Sequence, residues 1–360
     1  MEKYKNRQLN SNIFISMSSR LIFLIISSLW GSIYSFTFTR IDRASSSTPL
    51  SKLNMARMLF DETKAIGYVK PDEVNFPSDM TDEWELDCYS RPVLGEDGKK
   101  LWELLLTDSE GKFRYLKPLA SNLVNSRNVR KAVEDILEQS PVKPKCIRFF
   151  RNQMYNMIMI ALSPLDVEVK PSRRTTSLYM WLQEREENVY RFMTGYNPQL
   201  KQQTILDYDV TQPDRLSDVL RAESYAFVAL PSEVFWDGQV NAENIKKGRL
   251  CPIKDLPKSG EWIHGITLFS KRAAAVAAWM NGLEIAFIKA DLLGRELLMH
   301  TDIRTQLILA PLMDAQKKEA QMFEKAKTEM QGYHFISVQS SPDAEEVEGF
   351  WLLRQFNDSL

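Results

Sequence analysis

The chain has 360 residues, 44% hydrophobic and 26% charged, a balance that supports packed cores and excludes a wholly disordered protein. Its formal net charge of −1 excludes a uniformly basic nucleic-acid binder, so any phosphate site must be a local patch. Cys88, Cys146 and Cys251 form no CxxC pair, His264, His300 and His334 are scattered, and no GxGxxG or GxxxxGK[ST] string occurs; no disulfide framework, metal site, nucleotide loop or other cofactor is expected.

At the amino terminus, Lys3, Lys5, Arg7 and Arg20 precede the apolar run LIFLIISSLW at 21–30. That run is too short to span a bilayer but suits the core of a signal peptide, with Ser32 and Ser35 as small residues before Phe36. Residues 36–58 hold Arg40, Arg43, Lys52 and Arg57 against one acid, Asp42, and are rich in Ser and Thr, as transit peptides are. The expectation is a signal peptide at 1–35, a transit-like segment at 36–58 and an acidic, turn-rich linker at 59–82. This bipartite pattern resembles the plastid address of algae with complex plastids and implies delivery to the stroma. A secreted or membrane-anchored protein is the alternative, and the lack of disulfide spacing argues against it.

Three strands open the first domain, expected at 83–193. They are WELDCYSRPVL (84–94), KKLWELLLTD (99–108) after the turn GEDG, and KFRYLKPLA (112–120). SRNVRKAVEDILEQ is a helix with Val129, Ala132, Val133, Ile136 and Leu137 as its apolar stripe and Ser126 as its candidate cap; Pro141 and Pro144 stop it. A fourth strand (146–151), a second helix (152–165), a fifth strand (167–173) and a third helix (175–192) follow. Right-handed crossovers would lay the fourth and fifth strands parallel to the first, which is the ribonuclease H-like topology. A linker at 194–222 carries Gly195, Pro198 and Pro213. The second α/β domain, 223–360, has strands near 225–231 and 262–269, a helix at 271–283, a hairpin at 285–302 turning near Gly294, a strand at 304–311, a charged helix at 313–330, and closing strands at 333–339 and 349–356. The fold class is therefore α/β, in two domains.

In the stretch IRFFR (147–151) two arginines bracket two phenylalanines, and periodicity leaves open whether it is core or binding surface. Lys143, Lys145, Arg148, Arg151, Lys170, Arg173 and Arg174 face only Asp166 and Glu168 between residues 142 and 174, leaving that stretch at +5. Strand-to-helix turns of an open α/β sheet line one edge, where ligands bind and helix amino termini add positive potential. Arg148, Arg151, Lys170, Arg173 and Arg174 are accordingly the candidate phosphate contacts, with Phe149, Phe150, Tyr155 and Tyr179 as stacking faces if exposed, or as core if not. A nuclease would need converging carboxylates. Asp87 sits where a first metal ligand belongs and Glu134 could be a second, but the fourth strand ends in Arg151-Asn152, and Glu184 and Glu186 read as a solvated helix face. No catalytic set and no small-molecule substrate are expected. Trp351, Leu352 and Leu353 near the carboxyl terminus are either a last strand or an exposed partner-docking segment.

The blocks WELD…SRP (84–92), KKLWEL (99–104), IRFFRNQM (147–154), PSRRTTSLYMWLQER (171–185), AAWMNGLE (277–284) and GFWLLR (349–354) together resemble one family. It is the plastid and cyanobacterial RNA-binding proteins of the photosystem I translation-factor type, the Tab-two family. The resemblance runs through most of 84–356, is thin over 193–260 and absent from 1–80. It implies binding to A/U-rich single-stranded RNA in the 5′ untranslated region of a photosystem I reaction-centre message, activation of its translation, and association with other proteins. It also implies that Trp351-Leu352-Leu353 is a family signature. Two other functions compete: a protein-binding assembly factor for photosystem I, and a metal-dependent nuclease using Asp87.

Overall fold

The computed structural model describes residues 67–95, 97–200 and 212–356. The signal and transit segments, the first part of the 59–82 linker and the middle of the 194–222 linker lie outside the described residues. The chain forms two compact α/β units.

The first unit is built on β1 (Glu83–Leu94), β2 (Lys100–Asp108), β3 (Arg114–Leu119), β4 (Cys146–Phe149) and β5 (Glu168–Pro171), in the order β3-β2-β1-β4-β5. β1 to β3 are antiparallel neighbours, while β4 runs parallel to β1 and β5 parallel to β4. These are the order and directions of the ribonuclease H-like arrangement expected from the sequence. Helix α1 (Ser126–Gln139) buries Val129, Ala132, Val133 and Ile136. Its cap is Asn125 rather than Ser126: the extended backbone of Asn125 lets its side chain accept from the Asn128 N–H at 3.0 Å, whereas Ser126 is already helical. Helix α2 spans Tyr155–Leu162 and α3 spans Thr176–Asn188, both shorter than the apolar pattern suggested because short 3₁₀ turns take up Asn152–Met154 and Tyr190–Phe192. Residues 194–197 run back along the end of β1, where Leu94 N–H donates to the Gly195 carbonyl at 2.9 Å and Asn197 N–H to that of Pro92 at 2.8 Å.

The second unit holds a five-stranded sheet ordered β7-β9-β13-β14-β8 and a four-stranded sheet ordered β10-β11-β12-β6. The elements anticipated from periodicity are β7 (Ser224–Pro231), β9 (Trp262–Phe269), α5 (Ala273–Asn281), β10 (Ile285–Asp291), β11 (Glu296–Thr301), β12 (Thr305–Pro311), α6 (Lys317–Glu329), β13 (Tyr333–Gln339) and β14 (Val347–Arg354). Three further elements, β6 (Asp214–Arg215), α4 (Glu233–Trp236) and β8 (Gly248–Leu250), are too short to show a period, and the two strands exist through their pairing with β12 and β14. β8 depends on a glycine. Gly248 has φ +129°, and a Cβ there would lie 1.7 Å from the Phe350 carbonyl oxygen of β14.

Trp351, Leu352 and Leu353 lie in β14, which pairs with β13 on one side and β8 on the other. All three are 1–3% exposed. Trp351 and Leu353 face the core formed with α5, while Leu352 packs with Phe335 and Phe350 on the opposite face. The run is the strand of the two alternatives; an exposed Trp-Leu-Leu docking segment is not what the fold presents.

Candidate nucleic-acid interface

The IRFFR question is resolved by alternation along β4. Ile147 and Phe149 point to one face of the first sheet, where they join Trp84, Leu86, Cys88, Leu104 and Leu106 beneath α1 and α2. Arg148 and Phe150 point to the other face, which α3 covers with Leu178, Trp181 and Leu182. The first face is lined mainly by apolar side chains and, among the described residues, carries no buried ion pair. The second carries Glu85, Asp87 and Arg91 from β1 and Glu103 from β2, all buried.

Register brings these charges together. β1 residues two apart share a face, and the hairpin sets Tyr89 opposite Glu103 and Asp87 opposite Leu105. Arg151, just past the end of β4, grips Asp87 with two bonds of 2.6 and 3.2 Å, and its guanidinium lies 3.9 Å from the centre of the Tyr89 ring. Arg91 bridges Asp87 at 2.8 Å and Glu103 at 3.0 Å, and Arg185 of α3 reaches Glu103 at 2.6 Å. Tyr190 donates its hydroxyl to the same Glu103 carboxylate. Burial alone would push the Asp87 carboxyl up, but Arg151 and Arg91 override it and hold the group below its ordinary value.

A second group sits nearer the strand ends. Glu83 accepts from Arg148 at 2.8 Å and from Arg174 at 3.2 Å. Glu85 accepts from the Leu178 N–H at 2.7 Å, so a sheet carboxyl caps the amino end of α3, whose own N-cap Thr175 makes no side-chain cap. Desolvation drives the Glu85 carboxyl up to about 8, against the opposing pull of the Leu178 N–H, Arg148 and Arg174.

The five candidate residues therefore occupy two levels. Arg148 and Arg151 are buried, 1% and 4% exposed, and hold Glu83 and Asp87. Lys170, Arg173 and Arg174 are partly exposed at the end of β5 and in the turn into α3; Lys170 pairs with Glu168 at 2.9 Å, and Arg174 N–H donates to the Ser172 hydroxyl at 3.0 Å. Phe149, Phe150 and Tyr179 are buried and offer no stacking surface, whereas Tyr155 is partly exposed.

Sequence reasoning missed Glu83, Glu85, Arg91, Glu103, Arg185 and Tyr190 as one assembly. A signal for half of it existed: Glu85, Asp87, Tyr89 and Arg91 alternate with the apolar Trp84, Leu86 and Cys88, which marks a strand with one polar, interior face. The nuclease alternative loses its geometry here. Both Asp87 oxygens are taken by guanidinium groups, and Glu134 is on α1, across the sheet from Asp87. Among the described residues no group of three or more His, Cys, Asp or Glu side chains could hold a metal ion. Glu186 is also not solvated: it is buried and accepts from the Tyr196 hydroxyl at 2.7 Å, while Glu184 pairs at the surface with Arg114.

Comparison with known proteins agrees with the resemblance. Residues 83–185 match the family model described as "RNA-binding protein Tab2/Atab2 N terminal", and residues 203–354 match its C-terminal domain. A chloroplastic protein TAB2 homolog of Arabidopsis thaliana is 34% identical over 300 residues, covering 81% of this chain and 79% of the relative. The corresponding protein of Zea mays is 33% identical over 302 residues, covering 81% and 76%.

Proposed function

The chain belongs to the Tab2/Atab2 family of RNA-binding proteins, and from that premise we propose that it works in the plastid stroma. There it binds A/U-rich single-stranded RNA in the 5′ untranslated region of a photosystem I message and activates its translation, without catalysis and with other proteins of a translation-activating complex. The chloroplastic designation of both plant relatives supports the compartment.

One observation carries the choice of surface. Lys170, Arg173 and Arg174 gather at the carboxyl end of β5 and the start of α3, the side of an open α/β sheet where ligands bind. In this reading they meet the phosphates. Arg148 and Arg151 act from beneath, neutralising Glu83 and Asp87 so that the surface keeps its positive sign. With Trp351, Leu352 and Leu353 buried in a strand, the assembly-factor reading loses the exposed Trp-Leu-Leu segment it would dock through.

The test is binding of an A/U-rich single-stranded RNA over a salt series, with Arg173→Ala and Arg174→Ala combined. Losing two phosphate contacts lowers affinity for every RNA sequence and reduces the slope of log K against log salt by about 1.4, at roughly 0.7 per contact on a single strand. Unchanged affinity and slope refute the surface. RNA cleavage that requires magnesium refutes the non-catalytic reading.

A further inference from the structure

An exposed strand edge is a template for pairing with another chain, and folded proteins blunt such edges. Among the described residues the three sheets have six edges, and five of them are blunted in identifiable ways. β3 carries Arg114, Lys117 and Pro118; β5 has four residues and ends at Pro171; β6 has two residues and β8 three. β10 is longer, but side chains occupy its outer row. Ile288 N–H donates to His334 Nε2 at 2.9 Å, Lys327 Nζ donates to the Ile288 carbonyl at 2.9 Å, and Ala290 N–H donates to Glu324 at 2.7 Å.

β7 is the exception. Ser224–Pro231 reads SYAFVALP, eight residues without a charge, paired to β9 with no break in register. Ser232 N–H donates to the Glu261 carbonyl at 2.9 Å in the same register, so alternate residues back to Ser224 turn their backbone groups toward β9. Tyr225, Phe227 and Ala229 therefore present N–H and C=O on the outer side, where no strand pairs among the described residues.

We propose that β7 pairs antiparallel with β7 of a second copy of this chain, about a two-fold axis at Phe227. That register sets Phe227 opposite Phe227 and Tyr225 opposite Ala229 of the second copy, matching a large side chain to a small one. Each of the three outward residues then meets an outward residue, giving about six new backbone hydrogen bonds. Because the strand is uncharged, self-pairing brings no like charges together. Pro231, which has no N–H to offer, falls at the end of the ladder. The two five-stranded sheets become one continuous sheet.

Sedimentation velocity of the purified chain over a wide concentration range tests this, together with Ala229→Pro. The substitution removes an outward N–H and leaves the β9 ladder untouched, so the expected result is a dimer that falls to half its mass with unchanged far-ultraviolet circular dichroism. If that variant fails to fold, amide exchange on the unmodified chain decides: the Tyr225, Phe227 and Ala229 amides slow as concentration rises. A chain monomeric at every concentration overturns the proposal, as does a dimer whose β7 amides exchange at the monomer rate. A monomer whose β7 amides slow only in plastid extract assigns the edge to an extended peptide of another protein and also overturns it.

Discussion

Asp87→Ala is expected to cost the first unit about 3–5 kcal/mol, the penalty for leaving buried charges without their partner. Three charge-assisted bonds converge on Asp87, at 2.6, 2.8 and 3.2 Å, and it, Arg91 and Arg151 are all buried. Removing the carboxylate strands two guanidinium groups under α3, with Glu103 left to balance Arg91 and Arg185. Amide exchange of β1 and β2 reads the opening of this unit by itself. At about 1.4 kcal/mol per factor of ten, the slowest of these amides exchange roughly two to four powers of ten faster in the variant. Arg151→Ala made in the Asp87→Ala background costs clearly less than in the parent, because the pair is already broken. Acid has the same effect as the substitution: a carboxyl held below its ordinary value stabilises at pH above that ordinary value, and the contribution is lost as pH falls through the lowered one. An exchange change below tenfold, or additive single substitutions, refutes the idea that this network secures α3 to the sheet.

Four other outcomes follow from particular contacts. Burial pushes the Glu85 carboxyl up to about 8, so its contribution is full below the ordinary carboxylate pKa and drains away as pH rises toward 8; Glu85→Gln keeps an acceptor for Leu178 N–H, and its melting temperature gains on the parent as pH is raised. His334 is buried and neutral, its pKa lowered by desolvation and by Lys327, so thermal stability of the second unit falls below about pH 6.5, with His334 contributing up to about 1.4 kcal/mol per pH unit, a slope that His334→Ala reduces. His334→Ala also leaves the Ile288 N–H without its acceptor, costing about 1–3 kcal/mol by denaturant titration. Gly349→Ala places a Cβ 2.6 Å from the Trp351 ring and 2.9 Å from the Ala277 Cβ, and the same titration shows a loss of about 1–3 kcal/mol.

The sequence alone determined the longer elements and, for the first unit, their topology. Alternation in 84–94 and the 3.6-residue stripe of 126–139 are local patterns, and right-handed crossovers leave few ways to assemble three meandering strands followed by alternating helices and strands. It also carried the family resemblance, because blocks such as PSRRTTSLYMWLQER survive as strings whatever their geometry.

Only the tertiary structure decided what each charge does. The same RR, D and E letters serve equally for a phosphate surface, a metal site or a buried ion network; the distinction lies in which face of β1 and β4 each side chain takes and in what α3 sets over it. Arg148 and Arg151 stand three residues apart in a string that reads as a basic patch, yet β4 carries the first to Glu83 and its end delivers the second to Asp87, about sixty residues back along the chain. Charge attraction acts through space over a few ångströms in a water-poor interior, and composition cannot record distance. The unguarded edge of β7 belongs to the same class of fact. Its eight uncharged residues mark a strand, but which side of that strand lacks a neighbour is fixed by pairing alone.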